Sequence, residues 1–152
     1  MGSGMRSAWA VAAAALWLAG CGSSGGGGGG STLPNGFYIS IAGMAFSPLQ
    51  LAVPPGGTVT VLNRDGMNHT VTSEAADGDF TPGSVGGVDF DTGSFIGSKT
   101  FTIPSTAADG TVIPYYCKIH TNSMATPNGS IRVDSTAVPA PAPGSGGGGG
   151  GY

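Results

Sequence analysis

The side chains that could bind a metal or act as nucleophiles are scarce in this sequence. Its 152 residues include two histidines, two cysteines and five methionines. Cys117, His120 and Met124 have the spacing C-x2-H-x3-M, and the other histidine, His69, lies far upstream. One thiolate, two imidazoles and one thioether form the ligand set of a type 1, or blue, copper site: three strong ligands and a weak axial methionine. The residue types therefore predict a copper site formed by these four side chains.

Each of these residues also has an ordinary structural interpretation. A single cysteine often packs as a small apolar residue, and a single histidine or methionine can belong to a core. Zinc could use the same sulfur and nitrogens, but structural zinc sites favour four strong ligands, and methionine is not one of them. Met67 and Met44 are alternative thioethers. Copper is favoured because both histidines and the thiol of the domain fall in one predicted set.

Short strands are expected to position these ligands. Cys117 ends the predicted strand 111–117 (TVIPYYC), where the alternation of side chains puts it on the same face as Ile113 and Tyr115. His69 opens the segment HTVTS on the same parity as Val71. Both ligands are therefore predicted to face the core at the end of a strand.

The rest of the domain follows the same β pattern. Apolar residues alternate with other residues in several short runs, which turn sequences rich in glycine, proline, asparagine and aspartate separate. The runs are 37–42 (FYISIA), 58–63 (TVTVLN), 99–103 (KTFTI) and 130–133 (SIRV). No helical period is sustained, so we expect an all-β fold: a Greek-key sandwich or barrel of seven to eight strands.

Both ends of the chain differ in composition from this domain. Residues 1–20 have the charge and apolar run of an export signal. The sequence Leu-Ala-Gly-Cys ending at Cys21 resembles a bacterial lipobox, which implies lipidation of Cys21 and an exported protein anchored to a membrane on its periplasmic or extracellular side. Residues 21–32 form a predicted Gly/Ser tether, 33–134 the copper domain, and 135–152 a disordered Pro/Ala/Gly tail.

At the level of motifs, the domain resembles the small bacterial cupredoxins of the plastocyanin, pseudoazurin and amicyanin type. The resemblance covers residues 37–133 and rests on the segments FSP at 46–48, PGGTV at 55–59, NRD at 63–65, HTVT at 69–72, YYC at 115–117 with His120 and Met124, and GSIRV at 129–133. It implies an eight-stranded Greek-key sandwich with copper near one end, one histidine from a separate loop and the other three ligands from a single loop.

Two positions depart from the usual pattern of these proteins. Met124 lies four residues after His120, where three or five is more common, which bears on the length of the axial bond. The residue after the first histidine is often asparagine and here is Thr70. We expect the Thr70 hydroxyl to replace part of the bridge to the cysteine loop, and its backbone amide to donate to the sulfur.

Composition narrows the function. Multicopper oxidases and copper nitrite reductases need further histidine clusters, and this chain has no other histidine, so no catalytic turnover is predicted. The expected function is single-electron transfer with a redox protein, a cytochrome or another copper protein, by a monomer. Electrons would pass through the edge of His120, inside an apolar rim for which the candidates are Met44, Met67, Ile119 and Pro127.

Charge suggests how such a partner could approach. The sequence has a net charge of −3, which disfavours nucleic acid. Five carboxylates, at positions 74, 77, 79, 89 and 91, lie in a stretch without a basic residue, which could steer a basic partner or simply be a solvated loop. Two other functions stay open: copper storage, delivery or resistance, and a metal-free surface domain for adhesion or scaffolding.

Overall fold

The computed structural model describes residues 33–144, and the predicted signal segment, Cys21 and the Gly/Ser tether lie outside them. The described chain forms eight strands and no helix, which confirms the predicted all-β class. The strands are β1 (Phe37–Ile41), β2 (Phe46–Ser47), β3 (Gln50–Val53), β4 (Thr58–Asn63), β5 (Thr72–Ser73), β6 (Gly97–Thr102), β7 (Val112–Tyr116) and β8 (Asn128–Val133). In the described part of the chain, no helix could cross a membrane.

The strands form two four-stranded sheets with the orders β2-β1-β4-β6 and β3-β8-β7-β5. Each sheet contains one parallel pair, β1 with β4 and β3 with β8, and its other neighbours are antiparallel. Strands distant in sequence are therefore neighbours in space, and residues before β5 meet residues after β7. This connectivity brings the two ligand-bearing segments together.

A single apolar core fills the space between the sheets. Fully buried side chains come from both, including Val59 and Val61 of β4 and Ile113 and Tyr115 of β7. Burial alternates along β4, as the sequence pattern predicted, whereas in β7 all four residues from Ile113 to Tyr116 are buried. Burial of these β-branched and aromatic residues supplies the main driving force for folding.

Strand β1 departs from simple alternation, because Tyr38 and Ser40 are buried as well as their neighbours. Residues from the C-terminal side cover this second face. Ala140 pairs with Gly36 through two backbone hydrogen bonds of 2.8 and 2.9 Å, and the Arg64 side chain joins Ser40 to the carbonyl of Pro143. The packed chain thus extends past the expected domain boundary at 134, while residues 145–152 of the predicted tail lie outside the described part.

Candidate metal centre

Three of the four predicted ligands meet at one end of the sandwich. Cys117 Sγ lies 3.7 Å from His69 Nδ1 and 3.7 Å from His120 Nδ1, and the two Nδ1 atoms are 3.3 Å apart. No other group of three or more histidine, cysteine or acidic side chains within residues 33–144 could hold a metal. The described chain therefore has one candidate metal centre.

The triangle of donor atoms fits a trigonal metal. With metal–sulfur and metal–nitrogen bonds of about 2.3 and 2.0 Å, a planar three-coordinate centre separates sulfur from nitrogen by roughly 3.7 Å and the nitrogens by roughly 3.5 Å. The observed distances agree within about 0.2 Å. One thiolate and two imidazoles at this spacing are the strong donors of a type 1 copper site.

His69 is held from both its backbone and its ring. Its N–H donates to the Phe95 carbonyl (3.2 Å), and the Phe95 N–H donates to the His69 carbonyl (3.0 Å). On the ring, Nε2 lies 3.1 Å from Asp65 Oδ2. Since a carboxylate only accepts hydrogen bonds, the proton belongs on Nε2, which leaves the Nδ1 lone pair directed towards Cys117.

The surroundings keep His69 neutral and Asp65 ionised. Burial, followed by the charge of His120, lowers the pKa of His69, against the opposing effect of Asp65. Burial alone would raise the pKa of Asp65, but the backbone N–H groups of Met44 and Gly43 together with His69 outweigh it, and the pKa lies below its ordinary value. The imidazole is thus available as a neutral ligand at neutral pH.

Thr70 connects the histidine segment to the cysteine. Its backbone N–H donates to Cys117 Sγ at 3.4 Å, and its hydroxyl accepts from the Lys118 N–H at 2.8 Å. Both contacts predicted from the sequence are present. Cys117 directly follows β7 and is fully buried, so its sulfur is not in contact with bulk water.

The loop after Cys117 is a compact run of turns. The N–H of His120 donates to the Cys117 carbonyl (3.3 Å), and that of Met124 donates to the His120 carbonyl (3.1 Å). The N–H of Ala125 donates to the Met44 carbonyl (2.8 Å), which ties the end of the loop to the segment after β1. His120 is half-buried, whereas His69 and Cys117 are fully buried.

The candidate thioethers differ in their surroundings. Met124 is 7% exposed and belongs to the same core as Cys117. Met44 packs partly against this core, and Met67 is 46% exposed. This burial supports Met124 as the axial ligand, and its assignment stays a prediction.

Asp65 is the functional residue that the sequence did not identify. It belongs to the Asp-Gly turn before His69, and its spacing of four from the histidine is the only signal of contact. Two carboxylates of the acidic stretch, Glu74 and Asp91, make contacts within the fold. Glu74 is fully buried and accepts from the N–H groups of Gly78 and Phe80, and Asp91 pairs with Lys118.

Comparisons with known proteins give only structural similarities. No protein-family model matches the sequence, and no curated protein does. The chain is similar to a reduced Cu(I) amicyanin variant at 21% identity and a TM-score of 0.48, covering 68% of this chain and 87% of that one. It is also similar to a purple cupredoxin from Nitrosopumilus maritimus at 26% identity and a TM-score of 0.47, covering 64% and 98% respectively.

The class of the protein follows from its own sandwich and donor triangle. Two four-stranded β-sheets carry a His-Cys-His cluster at one end, in which His69 and Cys117 are buried and His120 is half-buried. The described chain is therefore a two-sheet β-sandwich whose His69, Cys117 and His120 donors fit one type 1 copper ion.

Proposed function

We propose that the protein carries single electrons between redox partners. Bound at His69, Cys117 and His120, copper would supply a one-electron Cu(I)/Cu(II) couple. The observation that carries the proposal is the asymmetry of the ligand cluster: two ligands are fully buried, and only His120 reaches towards solvent. Such a site would leave one imidazole edge through which a partner could exchange an electron.

Rigidity of the ligands favours electron transfer over metal exchange. His69 is fixed by Phe95 and Asp65, and Cys117 by Thr70. Ligands held this firmly need to move little when the metal changes charge. Storage or delivery of copper would instead favour open ligands that release the ion, and burial of the cysteine argues against this.

Exposed apolar side chains surround the segments that carry the histidines. Met67 and Ile119, both predicted rim residues, are 46% and 47% exposed. Ile96, which follows the His69 partner Phe95 and was not predicted, is 63% exposed. Met44 and Pro127 are only partly exposed. We assign Met67, Ile96 and Ile119 as the apolar rim on which a redox protein would dock.

The steering charge is smaller than the sequence suggested. Glu74 is buried and Asp91 is paired with Lys118, so the exposed carboxylates of the stretch that make no ion pair are Asp77, Asp79 and Asp89. Long-range attraction of a basic partner would come from these three and weaken with salt.

The proposal includes location and oligomeric state. The lipobox-like sequence at Cys21 supports export and attachment to a membrane by lipid, with the copper domain on the periplasmic or extracellular side. We propose that the protein acts there as a monomer, without catalytic turnover of its own.

Copper reconstitution tests the function. Cu(II) added to the purified full chain should give an intense visible thiolate-to-copper absorption, and cyclic voltammetry should show a reversible one-electron wave. Cys117→Ser should lose the absorption. Rapid loss of Cu(I) to a competing chelator, without reversible cycling, would instead support copper delivery.

The rim can be tested with a matched pair of variants. Ile119→Ser should slow electron exchange between oxidised and reduced protein. Val112→Ser removes a side chain of similar exposure on β7 and should leave the rate unchanged. Equal rates in the two variants would overturn the assignment of the rim.

A further inference from the structure

Lys118, the residue directly after the cysteine ligand, makes hydrogen bonds with both its backbone and its side chain. Its backbone N–H donates to Thr70 Oγ1 at 2.8 Å, and its ammonium group donates to Asp91 Oδ2 at 2.5 Å. The first contact joins the cysteine loop to the segment that carries His69. The second joins the same residue to the segment before β6.

Asp91 is itself fixed by neighbouring groups. Its other oxygen, Oδ1, accepts from the Gly93 N–H at 2.9 Å and from the Thr72 hydroxyl at 3.0 Å. The Thr72 hydroxyl also lies 3.3 Å from Thr70 Oγ1. Hydrogen bonds therefore link four residues in a closed loop: Thr70, Thr72, Asp91 and Lys118. The loop adjoins the sulfur because the Thr70 N–H donates to Cys117 Sγ.

The segment that carries Asp91 is bound to the segment that carries His69. The Thr92 N–H donates to the Val71 carbonyl (3.1 Å), the Val71 N–H donates to the Thr92 hydroxyl (2.9 Å), and Phe95 pairs with His69. The Asp91 segment is thus connected by hydrogen bonds to the backbone that positions His69. Through Lys118, the cysteine loop is fastened to that backbone.

We propose that Asp91 is a positioning residue for the cysteine ligand. Its ion pair with Lys118 is a clasp that keeps the start of the cysteine loop closed against the His69 segment, so that Cys117 Sγ stays buried opposite the two imidazoles. This role rests on the proposed function, because it concerns the geometry of the same copper site. It also explains why this member of the acidic stretch lies beside the ligand loop.

An isolated surface ion pair would contribute little, and the clasp differs from one in its neighbours. The two side chains are 35% and 42% exposed, so solvent screens their attraction. Three further hydrogen bonds hold Asp91 and the Lys118 backbone in place independently of the ion pair. Less conformational entropy is therefore lost when the two charges pair than in an isolated surface ion pair. Loss of the clasp should therefore open the loop locally while the sandwich stays folded.

Thiol reactivity of the copper-free full chain measures this opening. Cys117 has no exposed surface, so a disulfide reagent can reach it only when the loop opens. All proteins carry Cys21→Ser, so that one thiol is measured. Asp91→Asn and Lys118→Met should each speed the reaction by about five- to tenfold, the effect of losing one charge-assisted hydrogen bond that is partly screened. The double variant should react no faster than the faster single variant.

Asp89→Asn is the matched control, since it makes the same change of charge two residues away at an exposed carboxylate. Its rate should equal that of the parent. Added urea, below the unfolding transition, should change the rates little, as expected of a local opening. In the copper-loaded proteins, Asp91→Asn should shift the thiolate-to-copper absorption, and Asp89→Asn should not.

Three results would overturn the clasp: an Asp91→Asn rate equal to that of Asp89→Asn, multiplied effects in the double variant, or an acceleration that follows global unfolding in urea. Failure of the proposed function is a separate observation. In that case the parent protein would bind Cu(II) without the visible absorption, whatever its thiol kinetics.

Discussion

The contact between Asp65 and His69 allows a sharp test of how the first histidine is prepared for the metal. Asp65 Oδ1 accepts from the Gly43 N–H at 2.7 Å, and Oδ2 accepts from the Met44 N–H at 3.0 Å and from His69 Nε2 at 3.1 Å. All the partners are donors. Asp65→Asn keeps the shape of the side chain but replaces one acceptor oxygen with an NH2 group, which can only donate.

Either orientation of the new amide leaves a conflict. If its oxygen faces Met44 and His69, the NH2 group meets the Gly43 N–H. If its oxygen faces Gly43, the NH2 group meets the Met44 N–H and the His69 ring. In this second case the ring can accept only by moving its proton to Nδ1, the nitrogen that faces Cys117, and the ligand is then blocked.

The expected loss follows from these two orientations. Removal of the partner that orients a ligating histidine typically weakens metal binding by about 10–100-fold. We therefore predict that Asp65→Asn binds copper about 10–100-fold more weakly, which corresponds to roughly 1.4–2.7 kcal/mol.

Competition for Cu(I) against a chelator of known affinity at pH 7 measures the change. Asp79→Asn is the control, because Asp79 is exposed and its side chain makes no hydrogen bond to another residue between 33 and 144. An Asp65→Asn affinity within twofold of that control would refute the idea that this carboxylate fixes the protonated nitrogen of His69.

Three further predictions concern other parts of the molecule. In Gly129→Ala the new Cβ would lie 2.3 Å from the ring of Tyr115, so urea denaturation should show a loss of about 2–3 kcal/mol, as for other overpacked cores. Burial opposes ionisation of Asp91, but Lys118 and two other donors lower its pKa below the ordinary 3.8. The ionised side chain therefore stabilises the fold above pH 3.8, and this contribution is lost as the pH falls through the folded-state pKa. The difference in free energy of unfolding between parent and Asp91→Asn should thus shrink in acid titrations below about pH 4. Met124→Leu should keep the visible absorption and raise the reduction potential measured by voltammetry, because it removes a donor that stabilises Cu(II); a tenfold change in relative affinity corresponds to about 59 mV.

Each of these has a matched control. Gly66→Ala meets no atom within 4 Å and should unfold like the parent, so an equal effect would contradict the steric argument for Gly129. Asp89→Asn should leave the acid dependence of stability unchanged, and the Asp91 interpretation fails if it has the same effect. Met67→Leu alters an exposed thioether and should not move the potential. An unchanged potential in Met124→Leu would transfer the axial role to Met44 or to no thioether.

The sequence singled out His69, Cys117 and His120, which the fold brings together, because histidine and cysteine are so scarce in the chain. With only two histidines and one thiol in the domain, a site of one thiolate and two imidazoles could use only His69, Cys117 and His120, and strand parity correctly predicted that His69 and Cys117 are buried. The all-β class followed from alternation that real strands reproduce, as in β4.

The supporting groups could not be predicted in the same way. Aspartate is common in turns, so Asp65 looked like an ordinary turn residue until the fold placed it against the imidazole. Asp91 looked like one more charge in an acidic stretch, because its pairing with Lys118 depends on segments brought together by the sheets. The packing of Ala140 beside Gly36 also has no local signal, since a Pro/Ala-rich segment carries no strand period.

The direction of β1 determines which end of this strand lies near the histidine ligands. The strand runs from Phe37 to Ile41, which pairs with Asn63 of β4, and the Asn63 amide donates to the carbonyls of Met67 and Phe95 beside His69. The strand is about 13 Å long, and its last residue, not its first, lies on the side of the His69 segment. Within residues 33–144, β1 therefore begins at the end of the sandwich away from the His69 and His120 imidazoles and runs towards them.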